Sequence, residues 1–388
     1  MSGEFPEIAQ AELKKPTPMA GLAKHLAILS QLLLHTTDSE RPPGAEIARV
    51  ASREEVVRDI RSLRREECED FLALANLHHV VVRSLRLFYA IVAERGDDWT
   101  EWAASAMNRE NARVEKALCF LESICQELEA EGCDVTVIKS LDHWPDLGSD
   151  LDLYTNSDAS DVIQIMIRRF CATILPRSWG DHLANKWNFK VPELPELVEV
   201  HVGRLGQTGE QVSVARALPA RATLAQLGSR RFRTASAVDR LIITTLQRMY
   251  RHFYLRLCDI VDTARLLETQ TVDYADLQAS ATSAGIWEGV AAYLTIVSDY
   301  VRWYRGEGLN LPSAVRSDAR FGADQLSFRR GLLRIPLLPH SLHLYATEFV
   351  RLALNGKPQG TLRLSLLPGL AAAAAMAYKI TGTDRGIW

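Results

Sequence analysis

Two aspartates spaced two residues apart, Asp150 and Asp152, are the residues whose types and spacing most directly suggest chemistry. They lie in residues 148–154, a stretch typical of a turn that enters a β-strand, and the strand is predicted over residues 150–155. Alternate residues of a strand point to the same face, so the two carboxylates would lie side by side and repel each other. A divalent cation would remove that cost, because it takes carboxylate oxygens as ligands. The spacing indicates either a metal site or a solvated acidic strand end, and predicts that replacing both aspartates by Asn does not lower the metal-free melting temperature.

Two neighbouring segments carry side chains that could complete such a site. A short run rich in β-branched residues ends just before Lys139 and Ser140, where the chain turns. The alternating run at residues 197–202 predicts a second strand, with Glu199 and His201 on one face and three valines on the other. The sequence therefore predicts that a turn and two strands bring these polar residues together.

In chain order, these residues resemble the nucleotidyltransferase superfamily typified by DNA polymerase beta. That superfamily has a Gly/Ser turn after its first strand, a D-x-D motif on the next strand, and a third carboxylate on a neighbouring strand. The closer resemblance is to a family of uncharacterised bacterial nucleotidyltransferases, and its motif blocks correspond in this chain to VIKS, GSDLDLY, VEVHV and YLRLCDIVD. The resemblance extends over about residues 20–300.

The resemblance implies in-line attack on the α-phosphorus of a nucleoside triphosphate (NTP), with two metal ions about 4 Å apart. The metal would be Mg²⁺ or Mn²⁺, and a nucleoside monophosphate (NMP) group would move to a hydroxyl or phosphate of an unknown acceptor. It also implies roles for six residues: catalytic and metal-binding carboxylates at Asp150, Asp152 and Glu199, and cofactor-binding side chains at Lys139, Ser140 and His201.

One departure from the superfamily pattern concerns the turn, where Ser140 occupies a position that is usually Gly. A side chain there limits how closely the backbone approaches a phosphate, and it makes a positive φ costly. Two other functions therefore stay open. One is a catalytically inactive binding or partner protein on the same scaffold, and the other is a helical interaction protein whose aspartates are exposed by chance.

The composition of the 388-residue chain is ordinary for a soluble globular protein, with 47% hydrophobic and 24% charged residues. The formal net charge of −3 argues against nucleic-acid binding that is driven mainly by electrostatic attraction. The acceptor could be a small molecule, a peptide or protein, or RNA, and the charge slightly favours the first two. Six scattered cysteines predict reduced thiols and a cytoplasmic protein. We expect no signal peptide and no transmembrane segment, and self-association stays open.

The pattern of apolar residues predicts an α+β fold, in which a small mixed-sheet nucleotidyltransferase core is flanked by N-terminal and C-terminal helical regions. Residues 71–92 are predicted to form one apolar helix. The predicted regions are a loose N-terminal arm at 1–17, a helical region at 18–132, the α/β core at 133–205, a helical domain at 206–305, and a linker with a C-terminal helical tail at 306–388.

Overall fold

A computed structural model describes residues 18–35, 46–93 and 98–381 of the chain, so the predicted arm at 1–17 lies outside the described residues. The fold is α+β, as predicted, with a mixed seven-stranded sheet, a small second sheet, and helices on both sides of the strands in sequence. No helix within the described residues combines the length and apolar character needed to cross a bilayer.

In chain order, the α-helices are α1 (Pro18–His35), α2 (Glu46–Ser62), α3 (Arg65–Leu77), α4 (Val81–Val92), α5 (Asp98–Ala130), α6 (Ala159–Phe170), α7 (Trp179–Ala184), α8 (Val212–Arg221), α9 (Ala237–Thr245), α10 (Leu257–Thr269), α11 (Tyr274–Ala284), α12 (Trp287–Arg305), α13 (Ser313–Asp318), α14 (Leu342–Leu354), α15 (Pro358–Leu364) and α16 (Leu367–Thr381). The strands are β1 (Val135–Val137), β2 (Asp150–Thr155), β3 (Thr173–Ile174), β4 (Lys186–Lys190), β5 (Leu197–Val202), β6 (Thr223–Leu227), β7 (Arg230–Thr234), β8 (Tyr254–Leu255), β9 (Ser327–Arg329) and β10 (Leu332–Arg334).

The chain divides into two compact units. The first unit contains the described residues up to Val114, together with Phe253–Gln270 and Ala291–Leu337. The second unit contains Glu115–His252, Thr271–Val290 and the described residues from Leu338 onward.

A buried aromatic cluster lies among the helices of the first unit. The ring centroids of Phe71 and Phe88 are 5.6 Å apart, and those of Phe88 and Trp102 are 5.5 Å apart. The predicted single helix across residues 71–92 is wrong, because the chain breaks between α3 and α4. There the Leu257 N–H donates to Nδ1 of the buried His78 side chain at 2.7 Å, and His78 Nε2 donates to a carbonyl oxygen at 2.8 Å. These two hydrogen bonds to segments distant in sequence stabilise the break between α3 and α4.

The YLRLCDIVD block serves the architecture of the first unit. The Arg256 N–H donates to the Asp259 carboxylate at 2.7 Å, which caps the start of α10. Asp262, one turn further on, forms a buried ion pair with Arg83 at 2.5 Å. The small sheet of this unit has the strand order β8-β10-β9.

The seven-stranded sheet of the second unit has the order β3-β4-β5-β2-β1-β7-β6. Strands β2 and β5 begin and end where the sequence predicted, and they pair in parallel. The predicted helical domain at 206–305 is wrong in part, because β6 and β7 form a hairpin that extends the sheet beyond residue 205. The predicted linker and helical tail at 306–388 also contains strands, since β9 and β10 pair before α14 begins.

Candidate active site

The parallel pairing of β2 and β5 places the carboxylates of the two strands side by side. Asp152 lies directly beside Glu199, and Tyr154 lies beside His201. The opposite face of both strands is fully buried, which holds the register because a one-residue slip would move carboxylates into the core. The buried apolar residues of both strands therefore determine where the acidic residues of the two strands meet.

The turn after β1 is strained at Lys139. Its backbone has φ 61° and ψ −53°, and the N–H of the next residue, Ser140, donates to the carbonyl oxygen of Ile138 at 2.6 Å. These are the features of a γ-turn, which is rare for a residue with a side chain and costs roughly 1–3 kcal/mol. Strain of this kind is typical of functional sites, and in this turn it directs the Lys139 side chain toward the carboxylates.

Ser140 has a structural part in the turn. Its hydroxyl oxygen accepts the Asp152 N–H at 2.7 Å, and the hydroxyl donates to the Asp150 carbonyl oxygen at 3.3 Å. The side chain is buried, and contact of this hydroxyl with phosphates stays a prediction. The positive φ of this turn lies one residue before Ser140, at Lys139. Ser140 therefore anchors the start of β2 to the turn.

Two lysines neutralise the carboxylates. Lys139 Nζ contacts Asp152 Oδ1 and lies 3.7 Å from Glu199 Oε1. Lys186 Nζ lies 3.0 Å from Glu199 Oε2 and 2.8 Å from Asp181 Oδ1. All five side chains are at most 12% exposed. Burial alone would raise the pKa of Glu199, but Lys139, Lys186 and a nearby histidine together hold that pKa well below its usual value.

His201 binds the same carboxylate from the other side. Its Nε2 lies 2.8 Å from Glu199 Oε1 and 3.8 Å from Asp152 Oδ1. An ionised carboxylate can only accept hydrogen bonds. His201 Nε2 therefore carries a proton and donates a hydrogen bond to Glu199. The buried Nδ1 has no hydrogen-bond partner among the described residues. His201 thus holds one oxygen of the Glu199 carboxylate in place.

Asp150 lies at the exposed end of the carboxylate group. The Ser149 hydroxyl donates to Asp150 Oδ2 at 3.2 Å, and no lysine pairs with Asp150 within the described residues. Burial, followed by the charges of Asp152 and Glu199, raises the pKa of Asp150 from 3.8 to about 6, against the opposing effect of Lys139. Ionised Asp150 is therefore an unfavourable charge in the folded protein.

We expect Asp150→Asn to make the protein more stable near neutral pH. Because the folded pKa is raised, ionisation of Asp150 removes stability as the pH rises from about 4 to about 6. Each pKa unit corresponds to about 1.4 kcal/mol, so the variant should gain roughly 1–3 kcal/mol in free energy of unfolding at about pH 7.5. The gain should shrink toward about pH 4, which urea unfolding at several pH values would measure.

Asp158→Asn is the matched control, because Asp158 is an exposed aspartate whose side chain makes no capping hydrogen bond. Its effect on stability should be small. An Asp150→Asn variant that is less stable than the parent at neutral pH would contradict the electrostatic account of Asp150.

A cleft opens beside the carboxylates, with cationic and polar groups at its wall. Burial opposes a high pKa for Lys139, but Asp152 and Glu199 raise that pKa, and the positive charge of nearby Arg251 lowers it only slightly. The cleft is lined by Ile138, Lys139, His201, Leu205, Gly206, Gln207, Ile243, Leu246, Gln247 and Arg251. Two cations next to a carboxylate cluster suit a ligand that carries both phosphates and a metal ion.

The structure brings most of the sequence-predicted site residues together. Ligand atoms of Asp152, Glu199 and His201 all lie within 4.8 Å of one another, and Lys139 contacts two of these groups. Asp150 is not a member of that group, although its charge interacts with both carboxylates. Sequence reasoning missed Lys186 and Asp181. The Ser178–Asp181 capping box was a signal for Asp181, but nothing in the sequence indicated which charge it would meet.

The donor set of the site fits a hard divalent cation. The carboxylate oxygens of Asp152 and Glu199 converge, Asp150 adds a third carboxylate at the edge, and such oxygens are the ligands that Mg²⁺ and Mn²⁺ take. Lys139 contacts the same oxygens, so a cation bound there would require its ammonium group to turn away. His201 is better suited to hold Glu199 by its hydrogen bond than to serve as a ligand for Mg²⁺.

Comparison of the chain with protein-family models gave no match, and comparison with curated protein sequences gave no relative either.

Proposed function

We propose that the chain is a metal-dependent nucleotidyltransferase that moves an NMP group from an NTP to a hydroxyl or phosphate of an acceptor. The observation that carries the proposal is the side-by-side placement of Asp152 and Glu199 on parallel strands, with Asp150 two residues before Asp152. Three carboxylates at one sheet face, next to a strained turn and a cationic cleft, match what phosphoryl chemistry requires.

In this proposal the cation is held by Asp150, Asp152 and Glu199. Bound there, Mg²⁺ would neutralise charge on the phosphates and favour ionisation of the attacking hydroxyl. His201 keeps the Glu199 carboxylate in place through its Nε2 hydrogen bond, and Lys186 holds the other oxygen of that carboxylate. Each Glu199 oxygen therefore has a fixed partner before any ligand arrives.

The two cations of the cleft would bind the phosphate chain. Lys139 needs to turn only from the carboxylates toward the cleft that it lines, and Arg251 lies on the same wall. Arg251 offers a planar fork of donors that suits phosphate oxygens, and Lys139 offers a compact charge. The cleft also has apolar walls against which a base or sugar could pack.

Calorimetry with ATP, GTP, CTP and UTP, with and without Mg²⁺ or Mn²⁺, tests the proposal together with an assay for pyrophosphate release in cell lysate. We expect metal-dependent binding of at least one NTP and release of pyrophosphate. Asp150→Asn should lower the transfer rate by roughly a hundredfold or more, because it removes part of the metal site. This variant is suited to the test because its fold should be at least as stable as that of the parent.

Asp158→Asn should keep the parent's binding and turnover, which controls for the removal of a nearby charge. If no NTP binds, or if Asp150→Asn binds and turns over like the parent, the chain is not a nucleotidyltransferase of this kind. Mass spectrometry of the lysate after incubation would identify the modified acceptor.

A second candidate function is that of a catalytically inactive binding or partner protein on the same scaffold. The specific observation in its favour is that Lys139 and Lys186 already neutralise Asp152, Glu199 and Asp181 inside the protein. If these lysines replace metal ions permanently, partner binding should be independent of metal and unaffected by Asp150→Asn.

A further inference from the structure

Two arginines of the second unit share one backbone carbonyl. Arg204 Nη1 and Arg363 Nη1 donate to the carbonyl oxygen of Leu183, at 3.1 Å and 2.8 Å. Their guanidinium groups are therefore neighbours. Neither forms an ion pair with a carboxylate in the part of the chain that the structure describes. Two like charges thus lie side by side with only a neutral carbonyl dipole between them.

A third arginine adds to this charge. Arg177 Nη2 donates to the carbonyl oxygen of Asp181 at 2.8 Å, and its guanidinium group lies 4.0 Å from the centre of the Trp187 ring. Its Nε is buried without a hydrogen-bond partner among the described residues. Burial, and then the charges of Arg363 and Arg177, lower the pKa of Arg204. The three cations therefore repel one another in a half-buried setting, which an anion would relieve.

The loop that carries Arg204 packs closely against α7. Gly209 has φ 71°, and a Cβ atom at that position would lie 2.6 Å from the Leu183 carbonyl oxygen and 3.0 Å from Arg204 Cδ. The buried carboxylate of Glu210 fixes the same loop, because it accepts the Thr208 N–H at 2.9 Å. The loop therefore holds Arg204 close to the Leu183 carbonyl oxygen.

The arginine group is linked to the candidate active site by chain connectivity and by a series of contacts. Arg204 immediately precedes Leu205, the first of three consecutive residues that line the cleft. Arg177 binds the backbone of Asp181, and the Asp181 carboxylate binds Lys186, which in turn binds Glu199. One short series of contacts thus connects the arginines to the carboxylates within the second unit.

We propose that Arg177, Arg204 and Arg363 form a binding site for the phosphate group of a phosphate monoester. Each guanidinium carries five N–H donors in a planar fork, and the backbone hydrogen bond of each arginine occupies only one of them. A monoester phosphate brings nearly two negative charges and three acceptor oxygens, which matches several adjacent arginines. Resting on the proposed function, this monoester is the acceptor of the NMP group.

Titration of inorganic phosphate and of glycerol 3-phosphate into the full-length protein, without nucleotide or metal, tests the site by calorimetry. Both ligands should bind, and glycerol, which lacks the phosphate, should not. The double variant Arg204→Gln, Arg363→Gln should weaken binding at least tenfold. Arg168→Gln, which removes an exposed arginine of α6, should leave binding unchanged and controls for net charge.

The variant Arg204→Lys, Arg363→Lys keeps both charges, so intermediate binding by it would support a site that uses the guanidinium forks. Circular dichroism would show whether the Gln variant folds. If it does not fold, binding by the Lys variant still tests the site. Equal binding by parent and both double variants, or no binding of either phosphate ligand, would overturn the site.

The acceptor assignment is decided separately from the site. Glycerol 3-phosphate should compete with the acceptor and slow pyrophosphate release by the parent, whereas the Gln variant, which lacks the acceptor site, should release pyrophosphate slowly whether or not glycerol 3-phosphate is added. If phosphate binds and no NTP is turned over, the proposed function fails while the phosphate site stands. If NTP is turned over and glycerol 3-phosphate has no effect on the rate, the acceptor is not a monoester bound at these arginines.

Discussion

Asp152→Asn should lower the free energy of unfolding by roughly 2–4 kcal/mol at neutral pH, the cost of breaking a buried ion pair. Asp152 and Lys139 are each 12% exposed and contact each other directly. Without the Asp152 charge, the Lys139 ammonium keeps Glu199, at 3.7 Å, as its one ion-pair partner among the described residues. The variant should also abolish metal-dependent NMP transfer, because Asp152 is central to the proposed metal site.

Urea unfolding of the two single aspartate variants measures this prediction directly. Asp152→Asn should be less stable than the parent, and Asp150→Asn more stable. Adding Lys139→Met to Asp152→Asn should recover much of the loss, because the unpaired cation is then absent. If Asp152→Asn unfolds at the same urea concentration as the parent, the Lys139 contact contributes nothing measurable.

This contrast revises what the sequence alone suggested about the two aspartates. From spacing, Asp150 and Asp152 are equivalent, and their mutual repulsion predicts that a double Asn variant melts no lower than the parent. The structure gives them opposite environments, because Lys139 pairs with one and leaves the other at the edge of the site. We now expect the two effects to offset each other in the double variant.

The strands that carry the site could be predicted because their pattern is local. In β2 and β5, polar residues alternate with fully buried aliphatic ones, and both strands were predicted to the residue. The β6–β7 hairpin was missed because it lacks that alternation. Leu224 is 74% exposed on the edge strand, and Phe232 is the buried member of β7. The Gly228-Ser229 pair between these strands was an available turn signal.

The partners of the site residues could not be predicted, because they depend on register between segments far apart in sequence. Lys186 reaches Glu199 because β4 and β5 pair antiparallel, with Lys186 opposite His201. The arginine group likewise joins residues as distant as Arg177 and Arg363. Single charged residues in a sequence give no sign of such convergence.

Lys186→Met should be among the most destabilising single changes in the second unit. Lys186 pairs with Asp181 at 2.8 Å and Glu199 at 3.0 Å, and all three side chains are at most 12% exposed. Its removal leaves two buried carboxylates with fewer partners, so we expect a loss of roughly 3–5 kcal/mol in free energy of unfolding at about pH 7.5. Chemical unfolding monitored by circular dichroism would measure this loss.

The loss should depend on pH with a defined sign. Lys186 helps to hold the pKa values of Asp181 and Glu199 below their usual range, against the effect of burial. Depressed pKa values give stability that is present above the unfolded pKa and is lost as the pH falls. The deficit of Lys186→Met should therefore be largest at about pH 7 and shrink below about pH 5, where the unpaired carboxylates take up protons.

Lys190→Met on the same strand is the matched control, because Lys190 is exposed and should change stability by less than about 0.5 kcal/mol. Millimolar Mn²⁺ separates the two candidate functions in the same experiment. If the carboxylates form a metal site, the added cation should stabilise Lys186→Met more than the parent, since it binds the folded state and replaces the missing charge. If Lys186 is simply part of an internal ion-pair network, Mn²⁺ should leave the deficit unchanged, and that result would contradict the proposed metal site.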